Sequence, residues 1–248
     1  MTVIKSSEEV AAMRQAGKIV ASVLQRLKEE VKPGIKTRQL DSVAVDELQR
    51  HGAKASFKGY RGFPAHLCVS VNDEIVHGIP GERQLNEGDI VSLDFGAFAK
   101  GFHGDAAITV GVGKISAEAQ ELLNVTEAAL MAGIQAACCG VCLGDVSAAI
   151  QEYVETKGFS VVREYSGHGV GRDLHEDPLV PNFGLRGEGP KLQRGMTLAL
   201  EPMVTDGNWR TRLGDDHWLV LTADGSLSAH FEHTIAIGDD EAEILTLL

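Results

Sequence analysis

The chain has 248 residues, 44% hydrophobic and 23% charged, with a formal net charge of −12. That length and composition support a well-buried globular core, and the acidic balance argues against a broad phosphate-gripping surface, so no nucleic acid binding is expected. No apolar run reaches the length of a membrane span and "MTVIKSSEEV" lacks the apolar stretch of a signal peptide, so a cytoplasmic protein with no membrane partner is expected.

Residues 6–31 read as a helix. Ser6 precedes Glu9 in a capping-box arrangement, and Val10, Met13, Gly17, Val20, Leu24 and Leu27 recur at steps of three and four as a core-facing stripe. "KPG" at 32–34 ends it. A second helix starts near Thr37, carries Leu40, Val43, Ala44 and Leu48, and stops before Gly52. From about residue 66 the pattern turns to short β-rich runs, "LCVSVN", "DIVSLDFGAF" and "AAITVGVG". Helices follow at roughly 116–138 and 145–157, split by Gly140 and Gly144, and strands return at 159–165, 195–204, 217–223 and 229–237. The order of helices, strands, helices, strands hints at two halves of like design. No linker rich in Pro or Ser interrupts it, so one α+β domain over residues 1–248 is expected, with a monomer as the default state.

Cys68, Cys138, Cys139 and Cys142 fit a reduced setting. The "CCGVC" cluster lacks the fourth ligand of a closed zinc site and ends an Ala-rich helical pattern, so small apolar packing is its expected role.

Asp94 sits mid-strand in "IVSLDFGAF" and Asp105 opens the next strand in "GFHGDAAITV". With a turn around Ala99 to Gly101, the two fall at nearly the same level on neighbouring strands, with side chains on one face about 5 Å apart. Carboxylates that close repel unless a proton or a cation sits between them. Glu201 interrupts an apolar strand in "MTLALEPMV", and Glu232 lies inside "AHFEHTIAI". Any one of these acids is explained as well by a solvated face or a local salt bridge. Four of them, each inside an otherwise apolar strand, are not.

The stretch "EYSGHGVGRDLHEDP", residues 164–178, adds two imidazoles, His168 and His175. Their spacing is close to two helical turns, but three glycines and Pro178 argue against a helix. Glycines flanking His168 let backbone crowd close to a site, so one imidazole can join the four carboxylates. Asp94, Asp105, His168, Glu201 and Glu232 then form an oxygen-rich set with a single nitrogen. Such a set suits Mn²⁺, Fe²⁺, Co²⁺ or Zn²⁺ with little discrimination among them. Two divalent ions would neutralise the acids and hold a bridging water as a nucleophile near neutral pH. "GHGVG" lacks the strand–turn–helix setting of a nucleotide loop, and "HEDP" lacks the second His of a metalloprotease helix. Taken alone, His77 before "GIP" and His175 read as surface hydrogen-bonders. His103, His230 and His233 are assigned no role.

The ordered motifs "VHGIP" (His77), "SLDFG" (Asp94), "GDAAITV" (Asp105), "SGHGVG" (His168), "LHEDP" (His175), "LALEPM" (Glu201) and "FEHT" (Glu232) resemble methionine aminopeptidase over essentially the whole chain. The resemblance implies the "pita-bread" α+β fold: two pseudo-symmetric halves around a dimetal cleft, an antiparallel sheet with helices packed on its outer face. Glu201 and Glu232 stand only 31 positions apart, which leaves no room for the helical insert of type II enzymes. The chain also begins directly at the catalytic domain, so the short bacterial type I form is the one it resembles.

Residue by residue, the resemblance implies that Asp94, Asp105, His168, Glu201 and Glu232 are the metal ligands. It makes Glu201 the general base as well. His175 would hydrogen-bond the scissile carbonyl and its oxyanion, and His77 would contact and position the substrate backbone. Tyr60, Phe63, Cys68 and Trp218 would form the methionine pocket. The implied reaction removes the initiator methionine from nascent polypeptide N-termini with a small second residue, a metal-bridging hydroxide attacking the scissile carbonyl. Two divalent ions (Co, Mn, Fe or Zn) would be the cofactors, and a transient ribosome contact goes with that substrate. Phe57, Arg61 and Leu174 depart from the family pattern, where a small residue or Cys, a His and a Phe are common. They bear on pocket shape, not on the reaction. Two rivals are a proline-directed peptidase of the same fold and a catalytically dead binding module. The first usually carries a further N-terminal domain, and only about 65 residues precede the first strand run here. The second loses ligands, and all five are present.

Overall fold

The computed structural model describes residues 2–248. In chain order the first half holds α1 (Ser7–Glu30), α2 (Thr37–His51), β1 (Lys54–Ala55), β2 (Cys68–Val71), β3 (Glu74–Val76), β4 (Ile90–Ala99) and β5 (Phe102–Gly111). The second half holds α3 (Ala117–Ala136), α4 (Leu143–Thr156), β6 (Ser160–Val161), β7 (Ser166–Gly169), β8 (Glu176–Pro181) and β9 (Thr197–Leu200). It continues with β10 (Met203–Thr205), β11 (Thr211–Leu213), β12 (Val220–Thr222), β13 (Ser228–His230), β14 (Glu232–Ile237) and β15 (Ala242–Ile244). All four expected helices form, each within two residues of its expected bounds.

Helix α1 starts at its capping box: Glu9 N–H donates to Ser6 Oγ at 3.3 Å, and Ser6 N–H donates to the Glu9 carboxylate at 2.9 Å. Its stripe of Met13, Gly17, Val20, Leu24 and Leu27 is buried. Gly17 is required there, because a Cβ would lie 2.1 Å from the Leu245 carbonyl oxygen.

The main sheet is nine-stranded and antiparallel, in the order β1-β4-β5-β14-β9-β7-β8, with β2 added on β4 and β15 on β14. Alternation along each strand decides what the two faces do. Leu93, Phe95 and Ala97 pack with Val20, Leu27 and Leu40 under α1 and α2. Leu198, Leu200, Ile235 and Ile237 pack with Leu122, Leu130 and Ile150 under α3 and α4. Each such Val, Leu, Ile or Phe side chain, fully buried, contributes about 1.5–3 kcal/mol. The helices thus cover one face of the sheet, and the residues of opposite parity, Asp94 and Glu232 among them, project from the other. No helix among the described residues is long and apolar enough to cross a membrane.

Two expectations need correction. The hairpin turn is Lys100–Gly101, both with positive φ (54° and 85°), as a two-residue turn between twisted strands requires. Its centre falls one residue later than level aspartates would need. Asp94 therefore stands opposite Ala107 and Asp105 opposite Gly96, so the two acids are diagonal neighbours on one face. The returning strands are also shorter than expected. Residues 159–165 keep only β6, and the run at 195–204 breaks at Glu201–Pro202, where proline has no N–H for the ladder. Conversely, the loose segment around His168 forms β7 and β8. A Cβ on Gly167 would lie 2.3 Å from the Ala199 oxygen, and one on Gly169 would lie 2.3 Å from the Asp177 oxygen. The glycines thus let β8 and β9 close on β7.

Candidate metal centre

Two rows of paired residues cross the sheet. In one, Cys68 faces Asp94, Asp94 faces Ala107, and Ala107 faces Glu232. In the other, Gly96 faces Asp105, while His168 faces Ala199, which faces Thr234. Paired side chains share a face, as do residues two apart on a strand. Asp94, Asp105, Glu232 and His168 therefore project together, and Glu201 joins them two residues beyond Ala199. The small residues Gly96, Ala107 and Ala199 stand between the larger ones.

Asp105, His168 and Glu232 are buried, and each offers a ligand atom within 4.8 Å of the others. His168 Nδ1–H donates to the Gly169 carbonyl at 2.8 Å, which turns an Nε2 lone pair toward Glu201 Oε1, 3.5 Å away. Two lone pairs that close need a proton or a cation between them. Asp94 Oδ1, Asp105 Oδ1 and Glu232 Oε1 are buried without a hydrogen-bond partner. Burial pushes the Asp94 carboxyl up to about 7. Burial, reinforced by neighbouring carboxylates, carries Asp105, Glu201 and Glu232 well above the usual range. Burial also holds His168 down at about 4, a neutral donor. Orphaned oxygens around one neutral imidazole nitrogen fit a divalent cation.

The backbone behind these donors is fixed. Asp105 N–H donates to Thr234 Oγ1 at 3.0 Å, and that hydroxyl donates back to the Asp105 carbonyl at 2.8 Å. Asn182 Nδ2 donates to the Glu201 carbonyl at 3.0 Å.

The imidazoles and aromatic rings share the same cavity, of about 140 Å³, with the five donors. His175 stacks on Tyr60 (5.1 Å between centroids) and lies 4.1 Å from the His168 ring. It is open to solvent on one side, while the protein on its other sides and its positive neighbours hold it neutral. His77 takes a positive φ of 64° and meets Tyr165 and Trp218 edge-on at 6.0 and 6.4 Å. Trp218 in turn meets Phe63 edge-on at 5.2 Å. Phe57, Phe63, Cys68 and Leu174 form one buried apolar cluster. Burial and the acids' charge push the Cys68 thiol up, so it stays neutral. Arg61, exposed at 5.4 Å from the Tyr60 ring, also lines the cavity.

The structure thus brings together every residue singled out from sequence for this site. Cys138, Cys139 and Cys142 are free and lie apart from it. Sequence reasoning missed Thr234, Asn182 and His230. His230 stood in plain view in "AHFEHT", and only the pairing of distant strands gives it neighbours.

A model of metallopeptidase family M24 matches residues 11–239. Over 248 residues the chain is 54% identical to a methionine aminopeptidase of Clostridium perfringens, covering 100% of both. The chain belongs to the methionine aminopeptidases of metallopeptidase family M24. Methionine aminopeptidase 1 of Bacillus subtilis is 52% identical over 246 residues, 99% of each chain. A methionine aminopeptidase of Thermotoga maritima, solved as a crystal structure, matches with a TM-score of 0.99 at 46% identity, over 100% of both chains. The pita-bread fold expected for a methionine aminopeptidase is the fold observed. Residues 202–231, between the two glutamates, carry the short strands β10–β13 in place of a helical insert.

Proposed function

We propose that the chain is a single catalytic domain, residues 1–248, that removes the initiator methionine from nascent polypeptides with a small second residue. It works as a cytoplasmic monomer in transient contact with the ribosome. Asp94, Asp105, His168, Glu201 and Glu232 hold two divalent ions (Co, Mn, Fe or Zn). When bound, these ions act as Lewis acids and lower the pKa of a water, giving a nucleophile near neutral pH. The observation that carries this reading is the buried group of Asp105, His168 and Glu232, with ligand atoms within 4.8 Å of one another and with carboxylate oxygens of Asp94, Asp105 and Glu232 left without hydrogen-bond partners.

Glu201 takes the proton of the attacking water and returns it to the leaving amine as the C–N bond breaks. Burial and the charges of Asp94 and Asp105 raise its basicity toward the working pH, as general-base catalysis requires. His175 is neutral and keeps one ring N–H, which it donates to the scissile carbonyl oxygen as charge grows there. Its stacking on Tyr60 fixes the ring for that role. His77 contacts the substrate backbone. The methionine side chain, flexible and polarizable, packs among Tyr60, Phe63, Trp218 and the Cys68 sulfur. Phe57 and Leu174 close that apolar wall, and their bulk trims the pocket.

The test is hydrolysis of Met-Ala-Ser by EDTA-treated protein, before and after Mn²⁺ or Co²⁺ is restored. Activity is expected only after restoration, with no cleavage of X-Pro peptides. Full turnover without metal would refute the reading.

A further inference from the structure

His230 is 1% exposed, yet neither ring nitrogen has a hydrogen-bond partner among the described residues. Buried polar atoms are rarely left so unless they serve a purpose. Its Nε2 lies 3.9 Å from Glu201 Oε2 and 3.9 Å from Glu232 Oε2, about 1 Å beyond hydrogen-bond length. The other oxygens of these carboxylates face the donor cluster: Glu201 Oε1 approaches His168 Nε2, and Glu232 Oε1 is orphaned.

The backbone of His230 is pinned by the same device that pins Asp105. His230 N–H donates to Thr109 Oγ1 at 2.8 Å, and that hydroxyl donates to the His230 carbonyl at 2.8 Å. Ser92 Oγ, 2.8 Å away, gives Thr109 its remaining hydrogen bond. Ala107 of β5 faces Glu232 of β14, and the local two-fold through that pair exchanges Thr109 with Thr234 and Asp105 with His230. His230 therefore stands at the counterpart of an acid of the metal cluster, held by the counterpart threonine. An imidazole carries at least one N–H in either protonation state, so the ring has a donor to give.

We propose that His230 is a positioning residue of the metal centre: its Nε2–H holds the Oε2 atoms of Glu201 and Glu232 and so orients both carboxylates toward the donor cluster. The inference rests on the metal-site reading above and assigns a role within it to a residue outside the ligand set.

The experiment is a Mn²⁺ titration, read by the EPR signal of free Mn²⁺, on the parent protein, His230→Leu and His230→Gln. Loss of an outer hydrogen bond to metal ligands weakens metal binding about 10–100-fold, which is expected for His230→Leu. His230→Gln keeps an N–H donor at that depth and is expected to recover most of the affinity. Equal affinity in parent and His230→Leu overturns the inference, as does a Gln variant no better than Leu. Should His230→Leu fail to fold, NMR of the ¹⁵N-histidine-labelled parent loaded with Zn²⁺ decides. An exchange-protected proton on His230 Nε2 supports the role, and a ring protonated on Nδ1 alone overturns it. A parent that takes up no Mn²⁺ overturns the metal-site reading itself, an outcome distinct from a parent and variant that bind equally.

Discussion

The two walls of the cavity are built by different means. The donors ride on β4, β5, β7 and β14, or just past the end of β9, so strand register sets their separations. Apart from Cys68, the first residue of β2, the apolar wall comes from connections: Tyr60 sits in a single 3₁₀ turn, Leu174 and His175 lie between β7 and β8, and Trp218 lies between β11 and β12. Residues on paired strands move only if the ladder breaks, whereas loop residues change with little effect on the scaffold. The carboxylates and His168 are thus locked to the sheet or its end, while His77, His175 and most of the apolar side chains are left to the loops. Phe57, Arg61 and Leu174, the positions that depart from the family pattern, all lie on the loop side.

The sharpest way to break this comparison is Glu201→Gln. It keeps the shape and removes the base, so kcat on Met-Ala-Ser is expected to fall about 10²–10⁴-fold, with peptide binding far less affected. Retained turnover would remove Glu201 from the reaction. On the other wall, Trp218→Ala is expected to raise KM about tenfold with a much smaller change in kcat, because a pocket contact binds substrate and transition state alike. Equal losses in kcat and kcat/KM would show that Trp218 acts in the transition state rather than as a pocket contact.

Stability of the metal-free protein sharpens the contrast. Burial raises the folded-state pKa of Asp94 to about 7, and burial with neighbouring carboxylates carries those of Asp105, Glu201 and Glu232 well above the usual carboxylate range. The folded state then binds more protons than the unfolded one, so these acids make stability fall as pH rises. Burial lowers the pKa of His168 to about 4 and of His230 to about 3. The folded state binds fewer protons there, so that contribution grows with pH and is complete above about 6.5. Between about pH 6.5 and 8 the acids act alone. The Tm of EDTA-treated protein is expected to fall across that interval, and Mn²⁺ to raise it more at pH 8 than at pH 6.5. A flat Tm would mean that the acids ionise in the fold without a cation. The smallest effect belongs to Cys139→Ser, at an exposed position outside both walls. Its Tm should stay within about 1–2 °C of the parent, with activity unchanged.

Much of this was legible in the sequence, for identifiable reasons. Ser6 and Glu9 marked the start of α1 because a capping box is local. Asp94 showed its face because alternation within a strand is local too. Its level against Asp105 was not legible, since that depended on which single residue centred the turn at Lys100–Gly101. His230 gave no signal, because the hydroxyl that pins it belongs to Thr109, 121 positions earlier. The aromatic wall was singled out only through family likeness. Nothing in "GYRGF" or "HWLV" says that Phe63 and Trp218 meet.

Strand β14 lies between β5 and β9, and it brings Glu232 beside Asp105, which was made 127 residues earlier. During synthesis this catalyst is therefore among the last parts of its own molecule to exist. Until β14 docks, β5 and β9 present open edges able to recruit other chains, and pairing over such separations is slow compared with helix formation. A product cut short before residue 232 carries most of the protein's mass, lacks Glu232, and is left with sticky half-sheets.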